Sequence, residues 1–345
     1  MKPSIRVERV LRTYGIVVAL VLLVLAISIS HPAFLAYNNQ MNILSQWTPV
    51  GLMAVGMTYV ILTAGFDLSV GAVYTISAVV AAALGRTHSL ALSFSTALLV
   101  ALLLGLVNGL LVAYVKVNPF IATLGTSFAI GGITLVMTNN RAFVVSSASF
   151  STLGASRVGG VPYSGLLLLA ALVLGGLGLA RTIYGQKIYA VGGNPEASRL
   201  AGLNPSSVVT RAYCISGLCS GLAGIVTASQ LSSAQAGLAG NVVFDVITVV
   251  VVGGTSLAGG FGAMWRTAIG LAILATLQNG FNLLNVDPHF QDIVKGIIIV
   301  GALALDSLSR RLGARGGGST EVGPGQLEAS TPGEIDDAPA SRASV

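Results

Sequence analysis

Long apolar stretches alternate with short polar breaks along nearly the whole chain. Each stretch approaches the roughly 20 residues that an α-helix needs to cross a bilayer, and continuous apolar runs favour helices over alternating strands. The pattern therefore predicts an all-α, polytopic membrane bundle of about ten spans. Glycine, proline and polar breaks predict that some spans are broken or re-entrant. The approximate bounds are 14–32, 43–64, 69–85, 90–115, 118–137, 163–181, 211–231, 242–260, 266–285 and 291–309.

The polar segments divide the chain into three parts. Residues 1–13 form a predicted cytoplasmic N-terminal segment, and residues 14–309 form the transmembrane domain. Within that domain, an outer loop over 138–164 is long enough to present a docking surface, and an inner loop covers 182–210. Residues 310–345 are rich in Gly, Pro and acidic side chains, a composition that predicts a disordered cytoplasmic tail.

Composition excludes a soluble globular protein. Apolar residues make up 54% of the 345 residues and charged residues only 9%, against roughly 25% charged in a soluble domain. Of the 18 Lys or Arg and 12 Asp or Glu residues, 14 lie in residues 1–12 and 310–345.

The basic N-terminus and the apolar run after it could also form a cleaved secretory signal. Since the chain stays apolar to Ala36, an uncleaved first helix is favoured, in a multi-pass protein of the cytoplasmic (inner) cell membrane.

The distribution of Lys and Arg predicts the orientation, because positive charge accumulates on cytoplasmic loops. With the N-terminus inside, 14 of the 18 basic residues lie on the cytoplasmic side and four lie outside. An even number of spans then also places the C-terminus in the cytoplasm. The net charge of +6 is explained by this orientation, so nucleic-acid binding is not expected.

The inner loop contains two helix-start signals, Asn194-Pro195 and Asn204-Pro205. Asn is a favoured N-cap, Pro suits the first helical position, and Glu196 favours the positive end of a helix dipole. Gly202 suits the C-terminal cap of the first helix. These signals predict a pair of short cytoplasmic helices, which are either a solvated connector or a lever that contacts a soluble partner.

One of these helices carries a family resemblance. Glu196-Ala197, with Gly202 six positions after the Glu, resembles the EAA-x3-G loop of ABC importer permeases. The resemblance implies that this segment is the coupling loop on which an ATPase docks. Its members are Asn194, Glu196, Ala197, Arg199 and Gly202.

A carboxylate separates two apolar runs within residues 56–71. Asp67 is either an ordinary cap of the following helix, held at the water interface, or a functional group at membrane depth, where an ionised side chain costs about 2.5–3.5 kcal/mol. The segment resembles the GMTxVILTGGIDLSVGS signature of permeases from the ribose and related monosaccharide class of ABC importers. That resemblance implies a contribution to the translocation path. The residues concerned are Thr63, Gly65, Asp67, Leu68, Ser69 and Gly71.

A glycine-rich segment, residues 252–262, is similar to the GGTSLxGGxG segment of the same permeases. The next span carries Gln278, Asn282 and Asn285 on one helical face, which we expect to face the protein interior. They either form inter-helix hydrogen bonds or line the sugar path. Asp292 and Lys295, three apart, are expected to form a local pair.

Neither an active site nor a resident cofactor is expected in this chain. None of the lysines follows a glycine, so a Walker A phosphate loop is absent. Two cysteines, Cys214 and Cys219, and three scattered histidines provide neither a disulfide framework nor a metal site. Nucleophile, base and orienting group do not converge in any soluble segment, so we expect no catalytic residue and no metal ligand.

The family resemblance covers residues 10–309 and implies a division of labour. This chain would be the permease subunit of a monosaccharide ABC importer, and a cytoplasmic ATP-binding cassette subunit would bind ATP and Mg. An extracytoplasmic sugar-binding protein would deliver the sugar, and a second permease subunit, identical or homologous, would complete the path in contact with membrane lipid. The alternatives are an ABC permease for branched-chain amino acids or nucleosides, a secondary transporter driven through Asp67 or Asp245, and a membrane enzyme.

Overall fold

The computed structural model describes residues 3–316, and these residues fold mainly into helices. Two-residue strands form two small antiparallel pairs, β1 with β4 and β2 with β3. The helices are α1 Pro3–Ser30, α2 Tyr37–Leu62, α3 Val70–Gly85, α4 Leu90–Ala113, α5 Pro119–Thr138, α6 Ala148–Ala155, α7 Tyr163–Arg181, α8 Ile183–Gly193, α9 Pro195–Leu200, α10 Pro205–Leu231, α11 Val242–Val252, α12 Met264–Leu283 and α13 Pro288–Gly316. The strands are β1 Phe143–Val144, β2 Arg157–Val158, β3 Val161–Pro162 and β4 Ser233–Ala234.

Helix α10 lies at the centre of the bundle and packs against α2, α3 and α4. In the most apolar stretch of α10, 72% of the residues are buried, compared with 22% in the corresponding stretch of each of α4, α5 and α7. Small residues permit this close packing, since a Cβ on Gly217 or Gly224 would meet the backbone of a neighbouring helix. The sequence of α10 is accordingly rich in glycine, serine and alanine rather than leucine.

Helices α4 and α10 are antiparallel. Gly109, near the end of α4, faces Thr210 near the start of α10, and Ala101 faces Gly221 further along. Helices α1 and α12 are parallel instead, because Tyr14 lies near Trp265, at 6.4 Å between ring centroids, while Ile27 packs against Gly280. These directions define two ends of the bundle: the α9 end, with residues 63–69, α8, α9 and residues 253–263, and the β end, with the four strands.

Each of the ten predicted stretches overlaps a helix, which is consistent with a polytopic, helical membrane bundle. Within the described residues 3–316, four helices, α4, α5, α7 and α10, are long and apolar enough to cross a membrane by length and composition. The stretch predicted over 242–260 is shorter than expected, because α11 ends at Val252. Gly254 and Gly259 then adopt φ angles of +83° and +82°, which interrupt the helix.

The segments outside the predicted spans are more ordered than their polarity indicates. Helix α1 already begins at Pro3, within the predicted N-terminal segment. The outer loop over 138–164 contains α6 and three of the strands, and its β1 pairs with β4 beyond α10. Helix α13 continues to Gly316, past the predicted start of the tail at residue 310, and the rest of that tail lies outside the described residues.

Candidate functional site

Asp67 lies in the linker between α2 and α3 and is buried, with 2% of its surface exposed. One carboxylate oxygen accepts hydrogen bonds from the Ser69 backbone N–H at 3.0 Å and the Ser69 hydroxyl at 2.6 Å. The other accepts from the Ser216 hydroxyl of α10 at 2.7 Å. The expectation of a helix cap held at the water interface is therefore wrong: Asp67 is buried, and the N-cap of α3 is Ser69, from whose N–H and hydroxyl Asp67 accepts.

Further polar groups hold this linker to α4 and α10. The Asn108 amide of α4 donates to the Ser69 hydroxyl at 2.7 Å, so the Ser69 hydroxyl connects Asn108 to Asp67. The Tyr213 hydroxyl of α10 donates to the carbonyl of Phe66 at 2.9 Å. Among the described residues, no cationic side chain lies within salt-bridge distance of Asp67. Hydroxyl and amide donors, rather than a counter-charge, stabilise the buried carboxylate.

The remaining residues of this motif shape the linker. The Thr63 hydroxyl donates to the carbonyl of Val60 at 2.8 Å as α2 ends. The backbone N–H of Gly65 donates to the same carbonyl at 3.1 Å. The Leu68 N–H donates to the Thr123 hydroxyl of α5 at 3.0 Å. Gly71 packs so closely on α11 that a Cβ there would contact Val243.

Replacement of Asp67 is expected to destabilise the protein, and alanine is expected to do so more than asparagine. Alanine leaves the N–H and hydroxyl of Ser69 and the hydroxyl of Ser216 without their acceptor, and each orphaned buried donor costs about 1–3 kcal/mol. Asparagine keeps one acceptor oxygen, and the Ser216 hydroxyl can turn to accept from its amide. Thermal unfolding of the purified variants in mild detergent measures this order. An Asp67→Ala variant that melts with the wild type would contradict the assigned role.

The predicted caps of α9 are present in the structure. The Asn194 side chain accepts from the Ala197 N–H at 2.9 Å, with Pro195 at the first helical position. Gly202, with φ of +82°, follows the helix, and the Leu203 N–H donates to the carbonyl of Ser198 at 3.0 Å.

The prediction of two short helices is wrong in one respect. Asn204 caps its helix as predicted and accepts from the Ser207 N–H at 3.1 Å, but that helix is the 27-residue α10. No residue in the apolar run after Pro205 ends the helix before Leu231. The short helix beside α9 is instead α8, which precedes it.

Glu196 and Arg199 form an exposed ion pair on one face of α9. About two thirds of each side chain is exposed, at 67% for Glu196 and 64% for Arg199. The hydrogen bond from Arg199 and its positive charge lower the pKa of Glu196 below its usual value, so Glu196 stays ionised at neutral pH. Helix α9 therefore presents an ion pair, one acidic and one basic side chain, to the solvent.

The glycine-rich segment connects the two motifs described above. The Gly260 N–H donates to the carbonyl of Leu62, the last residue of α2, at 3.0 Å. A Cβ on Gly259 would lie 2.8 Å from the Cβ of Ala64 and 2.8 Å from the Gly192 carbonyl oxygen. A Cβ on Gly192 would overlap the Leu62 carbonyl. We call this contact of α2, α8 and the glycine-rich segment the glycine junction.

A side-chain hydrogen bond reinforces the glycine junction. The Tyr189 hydroxyl of α8 donates to the carbonyl of Gly262 at 3.0 Å. Since α9 follows α8 directly, the exposed ion pair is linked by backbone contacts to the linker that holds Asp67. The three motifs, far apart in sequence, thus meet at one end of the bundle.

The polar face predicted on α12 does not lie in the protein interior. Gln278 is partly buried, whereas Asn282 and Asn285 are exposed in the single chain. Asn285 is not in the helix, which ends at Leu283, and its φ is +53°. Of the predicted residues, Asn282 makes an inter-helix hydrogen bond, because its amide oxygen accepts from the Gln291 amide of α13 at 3.2 Å. Asn279, one position after Gln278, bonds reciprocally to the Asn39 amide of α2 at 2.9 and 3.0 Å.

The predicted local pair on α13 is also wrong. Lys295 lies 3.3 Å from a carboxylate oxygen of Asp245 on α11, and not in a salt bridge with Asp292. Spacing along one helix identified Asp292 as a possible partner of Lys295, but the structure brings Asp245 of α11 to it instead.

Sequence reasoning missed four residues that hold the linker: Asn108, Thr123, Tyr213 and Ser216. Of these four residues, Asn108 was the easiest to recognise from the sequence, because an amide within an apolar run must find a partner inside the protein. Ser216 and Tyr213 do not stand out in the sequence, because α10 contains several other serines and apolar residues.

The two polar motifs at the α9 end of the bundle differ in exposure. The buried carboxylate is fully engaged in positioning, and the exposed helix α9 presents only an ion pair at the end of a membrane bundle. A helical membrane bundle that brings these motifs together has the architecture expected of a membrane permease.

Comparisons with known proteins identify the family. Residues 39–303 match the family described as the branched-chain amino acid transport system / permease component, and the chain belongs to this family. The ribose import permease protein RbsC of Escherichia coli K12 is 40% identical over 84% of this chain and 92% of its own length. RbsC of Bacillus subtilis 168 is 39% identical over 88% and 95%. The L-arabinose transport system permease protein AraH of E. coli K12 is 34% identical over 90% and 95%. No solved structure matches the chain.

Proposed function

We propose that this protein is the transmembrane permease subunit of an ABC importer that moves a ribose-class monosaccharide into the cell. The observation that carries the proposal is the 40% identity to a ribose import permease over most of both chains. The buried Asp67 linker and the capped α9 helix support it, because the motifs that resemble sugar permeases are joined in the structure. The family description favours an ABC permease over a gradient-driven transporter or an enzyme.

The proposed topology has ten spans, with both termini in the cytoplasm. Helix directions support it, because α1 and α12 are parallel, as expected of the first and ninth spans. Helices α4 and α10 are antiparallel, as expected of the fourth and seventh. The α9 end carries most of the basic loop residues and would face the cytoplasm. These residues are Lys116, Arg181, Lys187, Arg199, Arg211 and Arg266.

The orientation is testable with fusions at the C-terminus. We expect a reporter that is active only in the cytoplasm to be active there, and a reporter that requires export to be silent. The same pair of reporters inserted in the 138–164 loop should give the opposite result. Activity of the exported reporter at the C-terminus would contradict the proposed topology.

The proposed mechanism couples ATP hydrolysis to access through the glycine junction. An ATPase docked on α9 would move α8 with it, since the two helices are consecutive. The hydrogen bond from Gly260 to Leu62 and the contact of Gly192 with Leu62 would pass that movement to the end of α2. The adjoining Asp67 linker, fixed to α4, α5 and α10, would then move these helices together. Rigid packing at such a contact favours two discrete arrangements rather than gradual deformation.

The partners follow from this arrangement. An ATP-binding cassette subunit would bind ATP and Mg and contact Glu196 and Arg199, and the permease would need no cofactor of its own. An extracytoplasmic sugar-binding protein would dock at the β end, where α6 and the strands order the outer loop. A second permease subunit would complete the path in the cytoplasmic (inner) membrane.

Affinity purification from the native membrane tests the central proposal. We expect mass spectrometry of the material purified in mild detergent to find an ATPase with a Walker A loop bound to the permease. ATP-dependent uptake of ribose into vesicles should require both chains. If the folded protein repeatedly purifies alone and an imposed ion gradient drives uptake, the gradient-driven alternative replaces the ABC permease.

A further inference from the structure

An arginine between two aromatic rings lies at the α9 end of the bundle, outside the glycine junction contacts. The Arg266 guanidinium carbon lies 5.1 Å from the ring centroid of Trp265 and 5.3 Å from that of Phe261. Its side chain forms no salt bridge among the residues that the structure describes. A cation oriented by two rings and lacking a carboxylate is a ready partner for an external anion.

The surrounding rings are exposed rather than part of the core. Phe261 is 57% exposed, Trp265 is 43% exposed and Tyr14 of α1 is 53% exposed. Tyr14, within α1, lies beside Trp265 at the start of the parallel helix α12. Aromatic side chains at one level on neighbouring helices are typical of a membrane interface, where ring and polar edge meet the lipid headgroups.

The guanidinium is also held in place by the backbone. A Cβ on Gly254 would lie 3.0 Å from a terminal guanidinium nitrogen of Arg266, so the side chain packs over this glycine. The carbonyl of Arg266 lies against Gly253. The arginine therefore packs on Gly253 and Gly254, whereas Gly259 and Gly260 of the same loop form the glycine junction.

We propose that Tyr14, Phe261, Trp265 and Arg266 form a binding site for the headgroup of an anionic phospholipid. The guanidinium would donate to the phosphate oxygens, and the rings would lie at the boundary between headgroup and acyl chain. Charge complementarity favours an anionic lipid over a zwitterionic one, because a zwitterionic headgroup brings its own cation to the phosphate. The site requires only that the chain spans a membrane, and it does not depend on which solute is transported.

The two tryptophans allow a local test. Trp47 is 7% exposed, and a Trp47→Phe variant leaves Trp265 as the single fluorescent tryptophan. This full-length variant is placed in phosphatidylcholine nanodiscs that contain a fixed minor fraction of brominated lipid, either phosphatidylglycerol or phosphatidylcholine. Bromine quenches tryptophan on contact, so quenching reports which lipid occupies the site. We expect phosphatidylglycerol to be preferred by about fivefold, the effect typical of one basic residue at an anionic surface.

Variants of the site separate specific binding from general attraction. Arg266→Gln is expected to remove the preference, and Arg266→Lys to retain part of it. Arg141→Gln, which removes an exposed arginine from the β end, is the matched control and should leave it unchanged. If Arg266→Gln does not accumulate, Phe261→Leu changes an exposed ring and should reduce the preference. Equal quenching by the two lipids, or an equal loss in the Arg141→Gln control, would overturn the proposal.

A final experiment tests whether the site binds a lipid headgroup or free phosphate. Inorganic phosphate added at constant ionic strength should leave the phosphatidylglycerol preference unchanged, because the rings contribute contacts that only a lipid can make. Loss of the preference in phosphate but not in chloride would overturn the lipid assignment in favour of a simple anion site. None of these measurements involves uptake, so the lipid site and the transport function can fail independently.

Discussion

Replacement of Glu196 by arginine is expected to abolish ATP-dependent uptake while the permease remains folded in the membrane. Glu196 and Arg199 are about two thirds exposed, and exposed ion pairs contribute little to stability. Arginine at position 196 would instead place a second positive charge beside Arg199. This charge would repel a partner surface whose own charges are complementary to the ion pair. We therefore expect the ATPase to be lost from affinity-purified Glu196→Arg protein, and uptake to fall to the level without ATP.

Two variants make this prediction specific. Asp292→Arg reverses one exposed acidic charge on α13 near the β end, and it should retain the bound ATPase. Glu196→Gln removes the charge without reversing it and should give an intermediate loss. Uptake and ATPase recovery are both measured at matched levels of permease in the membrane. Wild-type uptake by Glu196→Arg would contradict the assignment of α9 as the coupling helix.

Replacement of Gly192 by alanine is expected to disrupt the glycine junction. The new methyl group would overlap the Leu62 carbonyl and lie 2.7 Å from the Gly260 nitrogen. These two atoms belong to the hydrogen bond that joins α2 to the glycine-rich segment, so α8 would have to move away from both. Forcing a methyl group into a packed site typically costs about 1–3 kcal/mol. We expect a lower melting temperature and a loss of most uptake.

The neighbouring glycine is a matched control. A Cβ on Gly193 would meet no atom within 4 Å, although it lies in the same helix one residue away. Gly193→Ala should therefore leave melting temperature and uptake close to wild type. If both alanine variants behave alike, the close contact at Gly192 does not govern coupling. If Gly192→Ala loses uptake but keeps its melting temperature and its ATPase, the junction transmits movement rather than merely stabilising the fold.

The helices were predictable because their signals are local. Each predicted apolar run overlaps a helix, and Asn194, Pro195 and Gly202 bounded α9 correctly, since caps depend on neighbouring residues. The length of α11 was overestimated because apolar composition continues past Val252 while the backbone turns at glycines. Hydropathy measures composition, and it does not register a change in backbone angle.

The partners of polar side chains were not predictable in the same way. Asp67 was recognised as unusual, but its contact with Ser216 joins residues 149 positions apart. Lys295 pairs with Asp245 on another helix, and Asn279 rather than Gln278 reaches α2. A helical face can be read from spacing, but the neighbour of that face depends on how the helices pack.

The sequence by itself determined that this protein is a helical membrane protein with an excess of positive charge on one set of loops, and it located the three motifs. The tertiary structure alone decided that these motifs meet, that Asp67 is buried rather than at the water interface, and that glycines at 192, 259 and 260 form the contact. The reason is physical: hydropathy and capping act over a few residues, whereas close packing and buried hydrogen bonds depend on which distant segments share the same space.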